Sequence, residues 1–405
     1  MSEAQLYLFD DRVARRWAPF SLTRPVGELL FGCMTLRQRA AQVFDVPCLG
    51  HVSRRALVGF DEEGAAPGVS LEDVATEGTR IFLSSRAVPD VQPIDLPPGP
   101  AQLTVDGEPA GWVIPPGSAL PSELWLRDPT IDPGYPAVVS LTGEVLARPW
   151  DLVERNSARV TSDVAAWWPD GVSLGGVVHV GDGGVSAGDR VEVEAGVVFD
   201  TRGGPVRLDD DVHVEGPARL VGPLYVGAGT VIAGGSVGTS SIGPVCRVRG
   251  EVAGSVLLGF TNKAHEGYLG HALVGQWVNL GAMTTNSDLK NNYGTVTVWT
   301  PDGDIDTGQI KVGCLLGDHV KTGIGTLLNT GTVVGAGTNL FGGVMPPVAV
   351  PPFSWGDGHN LVRYRLADFL RAASRAMARR GVELTPGVRR VLEDAWKATA
   401  TSTGE

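Results

Sequence analysis

The chain has 405 residues, 43% of them hydrophobic, with 55 glycines, 28 prolines and a formal net charge of -12. That length exceeds one average domain, and the apolar fraction excludes a chain disordered throughout, so the glycine and proline content points to an architecture that turns often. The acidic balance excludes a general nucleic-acid scaffold, which meets phosphate with a basic face, and any anionic small ligand must find a locally basic pocket.

Cys33, Cys48, Cys246 and Cys314 show no C-x-x-C or metal-ligand spacing, so neither a disulfide framework nor a zinc site is expected and a reducing cytoplasm is the simple reading. Asp10 and Asp11 stand where a signal peptide would need an apolar core, and no run approaches a membrane span, so a soluble cytoplasmic protein without a membrane partner is expected. LYLFD (residues 6–10) reads as a strand and MTLRQRAAQVF (residues 34–44) as an amphipathic helix, giving a mixed α/β start. Residues 91–136, punctuated by PPGP, IPPG and DPGYP, read as loops and edge strands. These segments make up a first α/β domain, residues 1–165.

After Trp167 and Trp168 the texture changes to short runs of Val or Ile with Gly, Ala and Asp. Val185, Val191 and Val197 recur every six residues, as do Val226 and Ile232, then Ile242 and Val248. One inward aliphatic residue per six describes one flat side of a triangular coil that returns after roughly 18 residues. A β-sandwich would instead show turn signals every 8–12 residues or so. Residues 171–356 are therefore read as a left-handed parallel β-helix. In residues 357–405, RLADFLRAASRAMARR and the stretch opened by Thr385 and Pro386 read as two amphipathic helices capping the open end of the solenoid, followed by a frayed tail, TATSTGE.

The densest polar group in the solenoid is residues 262–294, NKAHEGYLGHALVGQWVNLGAMTTNSDLKNNYG. It resembles the acetyltransferase domain of the bifunctional bacterial enzyme that makes UDP-N-acetylglucosamine, whose pattern H-x-x-Y-L-G-D, N-x-G-A and Asn-Tyr is met by His265, Tyr268, Leu269, Gly270, Asn279, Gly281, Ala282, Asn292 and Tyr293. The resemblance implies His265 as general base, and imidazole titrates where an amine attacking a thioester must lose its proton. It also implies that Tyr268 and Asn279 orient the substrate, with Asn286 and Asn292 competing for the family asparagine. His271 stands where the family has an acid. Counting 18 residues back from His265 places Arg247 beneath it, with Arg249 and Lys263 as neighbours able to share a phosphate. The family's phosphate-binding lysine is replaced by Ala253. KVGCLLGDHVKTGIGTLLNTGTVVGAGTNLFGG resembles coils that accept acetyl-CoA or a related acyl-CoA, implying Lys321, Gly323, Ile324 and Gly342.

RWAPFSLTRP (residues 16–25) resembles the R-L-x-P-L-T-x-x-x-P segment of sugar-1-phosphate nucleotidyltransferases, implying Arg16 and Arg24 at a nucleotide and Mg²⁺ on Asp10, Asp11 or Asp90. The glycine-rich loop is missing and Val26 replaces the expected lysine. The resemblance implies an acyltransferase acting on a sugar phosphate or nucleotide sugar, with a second nucleotidyltransferase activity open, assembled as a homotrimer. Two other readings stay open: a β-helical regulatory or scaffold protein, and a zinc enzyme of the γ-carbonic-anhydrase kind with zinc held by three histidines across a subunit interface, for which His265, His271 and His319 are available.

Overall fold

The computed structural model describes residues 4–171 and 175–400. Five residues of the expected tail, 401–405, lie outside the described residues. The first unit is built on a seven-stranded mixed sheet in the order Ala137–Leu141, Ala101–Val105, Glu108–Ile114, Arg80–Ser84, Gln5–Phe9, Cys48–Val52, Gly68–Val69. Gln5–Phe9 pairs parallel with both neighbours. Its residues alternate between two cores, Leu6 and Leu8 on one face, Tyr7 and Phe9 on the other, because both faces are covered. The expected helix is Leu36–Phe44, started by a capping box between Thr35 and Gln38. Residues 91–136 depart from the expectation of loops and edge strands. Glu108–Ile114 lies inside the sheet, antiparallel to both neighbours, because Ala110, Trp112, Val113 and Ile114 are fully buried, and its one proline, Pro109, falls where the pairing with Ala101–Val105 shifts register.

The second unit is the expected left-handed parallel β-helix. Its strands stack into three ladders: side one from Val178–Val180 to Tyr268–Gly270, side two from Val185–Ala187 to Ala349–Val350, side three from Glu192–Val193 to Ser354–Gly356. Thr285–Asn286 and Leu327–Leu328 form a separate parallel pair that continues side one. Inward residues form columns, as in Val214, Ile232, Val248, Leu280 and Leu340 on side three. Each such fully buried aliphatic side chain contributes about 1.5–3 kcal/mol. The coils are uneven: Val185 pairs with Val206, Ser241 with Val256, and Leu273 with Leu315 across an insertion that carries the hairpin Thr297–Thr300/Gly303–Asp306.

One side of this prism and one of its edges are covered. The outward column of side two, including Tyr225, Val256, Leu273, Leu315 and Val333, shares one core with Ala14, Trp17, Phe20, Phe31 and Trp150 of the first unit. Ser241 sits in the same column and donates to Gly32 O (2.7 Å) and Asn156 Oδ1 (3.0 Å). Between sides two and three, Val245, Phe260, Trp277, His319 and Phe353 share a left-handed backbone conformation (φ between 53° and 61°) that turns the corner. Phe260 stacks on Trp277 at 4.2 Å, and Trp277 on His319 at 6.4 Å between ring centroids. The C-terminal helices Leu366–Ala378 and Pro386–Ala400 do not cap the solenoid end as expected. Phe369, Leu370, Ala373 and Met377 pack on this aromatic edge, and Val391 reaches Leu57 and Phe60 of the first unit, because the aromatic side chains of the edge and the apolar faces of the helices bury one another.

Candidate active site

Side one is open to solvent, and the polar residues of segment 262–294 are divided between it, its edges and side three, which carries Asn262, Lys263 and Asn279. Its outward column includes exposed Arg219 and Glu251, followed by Tyr268, whose N–H meets the Thr285 hydroxyl of the next coil (3.4 Å). His265 turns the edge between sides three and one, where it is exposed. Met283 N–H bonds to Glu266 O, and Gly325 N–H to Ala282 O, so this edge rises in register from His265 through Ala282 to Ile324. Ile324 thus stands two strand spacings, about 10 Å, above His265. Gly323 and Gly342 border the same edge: a Cβ on Gly323 would touch Phe341, and a Cβ on Gly343 would touch Ile324 O. Three of the residues expected to receive acyl-CoA therefore share an edge with the expected base.

The other edge of side one, roughly 20 Å of extended chain away, brings Tyr268, His271 and Asn286 together with Asp288, the one member that the sequence does not single out. His271 Nδ1 lies 2.6 Å from Asp288 Oδ2, and the Tyr268 hydroxyl donates to the same oxygen at 2.7 Å. Burial would raise the Asp288 carboxyl, but the bonds from His271 and Tyr268 outweigh it and hold it below its ordinary pKa. Burial and the Asp288 bond push the Tyr268 phenol up. Asp288 lies seventeen residues after His271, one coil length here, so coil counting was the signal for the pair. Asn286 is buried beside them and clamps Gly270, accepting from its N–H (2.8 Å) and donating to its carbonyl (2.9 Å). Asn292 instead sits exposed in a local turn, accepting from Gly294 N–H, so the two asparagines no longer compete for one place.

Arg247 does not lie beneath His265. The coil here is fifteen residues long, so Arg247 pairs with Asn262, and its guanidinium donates to Gly229 O and Cys246 O on side three. Arg249 does reach the His265 edge, where it pairs with Glu266 at 2.9 Å. Lys263 occupies an inward position opposite Val248, 1% exposed, with its ammonium donating to Arg249 O and His265 O. Burial lowers its pKa to about 8, and it faces carbonyls rather than a substrate. Asn279 accepts from Asn262 (2.9 Å) and stands in register with Lys321, whose pKa burial also lowers to about 8.

In the first unit Asp10, Asp11 and Arg24, of the expected nucleotide and metal residues, are turned inward, whereas Arg16 and Asp90 stay partly exposed. Asp11 accepts from Ala14 N–H (2.7 Å) and pairs with Arg86 (2.6 Å). Asp10 accepts from Val26 N–H and the Ser53 hydroxyl, and Asp90 lies outside both sets, 3.6 Å from Arg159. These carboxylates do not fit Mg²⁺, and among the described residues no group of three His, Cys, Asp or Glu could hold a metal ion. Arg16 pairs with Asp302 of the inserted hairpin. Arg24 bridges Asp318 (2.8 Å) and Glu62 (2.9 Å) at 2% exposure. Burial alone would depress its guanidinium, but both carboxylates raise it above its ordinary value. His265, His271 and His319 stand on three different edges, and burial pushes His319 down to about 3, so they form no zinc site within the chain.

A family described as sugar nucleotidyl transferase has a model that fits this chain. Residues 6–167 match it. The chain is also 30% identical over 95 residues to a bifunctional sugar-1-phosphate nucleotidylyltransferase/acetyltransferase of Sulfurisphaera tokodaii, covering 24% of each. It is 31% identical over 119 residues to the bifunctional protein GlmU of Methanococcus vannielii (29% of this chain, 26% of that one). To GlmU of Methanocaldococcus jannaschii it is 26% identical over 194 residues, 47% of this chain and 41% of that one. These alignments span between about a quarter and two-fifths of the relatives' own length. No helix among the described residues is long and apolar enough to cross a membrane.

Proposed function

We propose that the solenoid transfers an acyl group from acetyl-CoA, or a related acyl-CoA, to an amine of a sugar phosphate or nucleotide sugar along side one. The observation that carries this reading is the shared edge: His265, the expected base, lies two strand spacings beneath Ile324 and Gly323 and one more beneath Gly342, with no packed element among the described residues between that edge and solvent. His265 takes the proton as the amine attacks the thioester carbonyl, the carbon–sulfur bond breaks, and coenzyme A leaves as the thiol. Arg249 and Asn279 belong to the substrate side of this reading, and Lys321 to the acyl-CoA side. Exposed Met283, Ile324 and Leu327 (55%, 75% and 44% exposed) support a homotrimer that closes over this flank, and the free cysteines support a cytoplasmic setting. The first unit contributes sugar-nucleotide recognition, with no metal-dependent step assigned to Asp10, Asp11 or Asp90.

One observation favours a second assignment of the base within the same reaction. His271 is oriented through Nδ1 by Asp288, the arrangement in which a third group fixes an imidazole with its other nitrogen free to accept a proton. The test is free-thiol release from acetyl-CoA against a panel of amino-sugar phosphates and nucleotide amino sugars. Release that depends on the added amine supports the reading. Silence with every amine would overturn it in favour of the scaffold alternative.

A further inference from the structure

A cleft of about 700 Å³ opens where the first unit meets side two of the last coils. It is built from both units and the C-terminal segment: Arg15, Arg16 and Arg54 from the first unit, Trp299 from the inserted hairpin, Val350 from side two and Arg363 beyond it. None of its lining residues is acidic, in a chain whose net charge is -12. An adjoining hollow adds Arg12 and Arg148, and its single carboxylate, Asp302, is bound to Arg16.

Arg15 and Arg54 are the unusual members. Both are half-buried, and among the described residues neither makes an ion pair with a carboxylate. Arg15 donates to Asp10 O (2.8 Å) and Ser53 O (3.4 Å), and Arg54 to Arg15 O (2.8 Å) and the Ser21 hydroxyl (3.1 Å). The Asp10 carboxylate lies within electrostatic reach of both but is taken by Val26 N–H and Ser53. Burial depresses both guanidiniums, against the pull of Asp10, and each lies close enough to another arginine to be depressed further. Two neighbouring, partly desolvated cations with no carboxylate bonded to either are costly, and an anionic ligand bound directly to them offsets that cost. The remaining wall is apolar, formed by Ala18, Pro19, Leu22 and Phe353, with half-exposed Trp299 at its rim.

We propose that this interdomain cleft binds a phosphorylated small molecule with a flat, apolar body, its phosphates on Arg15 and Arg54 and its ring system beside Trp299. The site goes beyond the acyl-transfer reading. It lies across the molecule from side one, and neither unit alone contains it. The test is calorimetry on the full chain with UDP, ADP and inorganic pyrophosphate as probes. All three should bind saturably and weaken with added salt, the nucleotides more tightly than pyrophosphate. Arg54→Gln should weaken all three by at least about tenfold, as removal of a charge-assisted contact does. Trp299→Ala should weaken the nucleotides and leave pyrophosphate unchanged. Val362→Glu, at an exposed rim position where folding is not at stake, should weaken all three and serves if Arg54→Gln does not fold. Absence of saturable binding by every probe would overturn the proposal, as would affinities that the Arg54 and Val362 variants leave unchanged. Thiol release measured on the same samples reports the side-one reaction separately, so one reading can fail while the other stands.

Discussion

In the first unit, the RWAPFSLTRP segment is folded into the protein: Trp17 and Phe20 fill the core shared with the solenoid, and Arg24 is locked between Glu62 and Asp318. In the solenoid, the NKAHEGYLGH segment keeps His265 exposed on an edge and sets His271 against Asp288 at the rim of an open flank. Two segments with comparable likenesses to transferase motifs are thus put to different uses. Charges turned inward must be paired to offset desolvation, and once paired they no longer serve a ligand. Polar groups on a solenoid edge carry no such demand, since the coil is held by its inward column alone. A motif resemblance therefore carries functional weight only where the fold leaves its polar atoms unspent.

The largest expected effects lie in the solenoid. His265→Ala should lower kcat for acyl transfer by roughly 10²–10⁴ with coenzyme A binding nearly intact, the range usual for a lost general base. His271→Ala should change turnover less and thermal stability more if Asp288 and Tyr268 use it as an anchor. Single-turnover rates and melting midpoints on both variants decide between the edges, and a large kcat loss in His271→Ala alone would move the base to the His271–Asp288 pair.

In the first unit the same kind of substitution should act on folding. Asp11→Asn leaves the partly buried Arg86 without its carboxylate, and Arg24→Ala leaves Glu62 and Asp318 together without a cation. Each should cost about 3–5 kcal/mol in urea unfolding, the usual penalty for breaking a buried pair. Retained stability with lost nucleotidyl transfer in Asp11→Asn would break the contrast between the units, because it would make that carboxylate functional.

His319 lies between the two regimes, an edge residue buried by the C-terminal helix. Its Nδ1 is buried without a hydrogen-bond partner among the described residues, and burial followed by the nearby Lys321 pushes its pKa down to about 3. The unfolded chain takes up a proton near pH 6.5 that the folded ring refuses, so stability from this residue is lost as pH falls from about 6.5 towards 3. His319→Phe should stabilise by about 1–3 kcal/mol at neutral pH and by more at pH 5. Equal gains at both pH values would show that the ring is protonated in the fold.

The six-residue recurrence of Val185, Val191 and Val197 was enough to read the solenoid, because one inward aliphatic residue per side is what closes a coil. Positions across coils were harder to read. A uniform repeat of about 18 residues placed Arg247 beneath His265, whereas the Arg247–Asn262 coil spans fifteen residues and the Leu273–Leu315 coil carries a hairpin. The His271–Asp288 pair is legible by coil counting, seventeen residues apart, whereas the inward place of Lys263 has no such signal, because a lysine between polar neighbours reads as surface. The docking of side two on Trp17 and Phe20 left a signal in the outward Val256, Leu273 and Leu315, apolar where a free flank would be polar. It could not be read before the coils were in register.

Lys263 offers the smallest and most specific test. It takes an inward position that aliphatic residues hold in the coils around it, with a pKa lowered to about 8 by burial. Between pH 8 or so and its ordinary value of about 10.4, the unfolded chain binds the proton that the folded lysine has released, so this residue's contribution to stability rises with pH across that window. Burial of Cys246 and Cys314 pushes both thiols up to about 12, which lowers stability with rising pH above about 8.5 and opposes the lysine. The two effects separate in a difference. Lys263→Met keeps the cysteines, so the free energy of the variant minus that of the native chain should be greatest below pH 8 and fall towards pH 10.4, by at most about 1.4 kcal/mol per pH unit. The offset at pH 7 should be small, because relief from a buried charge is balanced by the loss of donors to Arg249 O and His265 O. Parallel pH profiles for the two proteins would mean that the ammonium is solvated, and Lys263 would then return to the substrate side of His265.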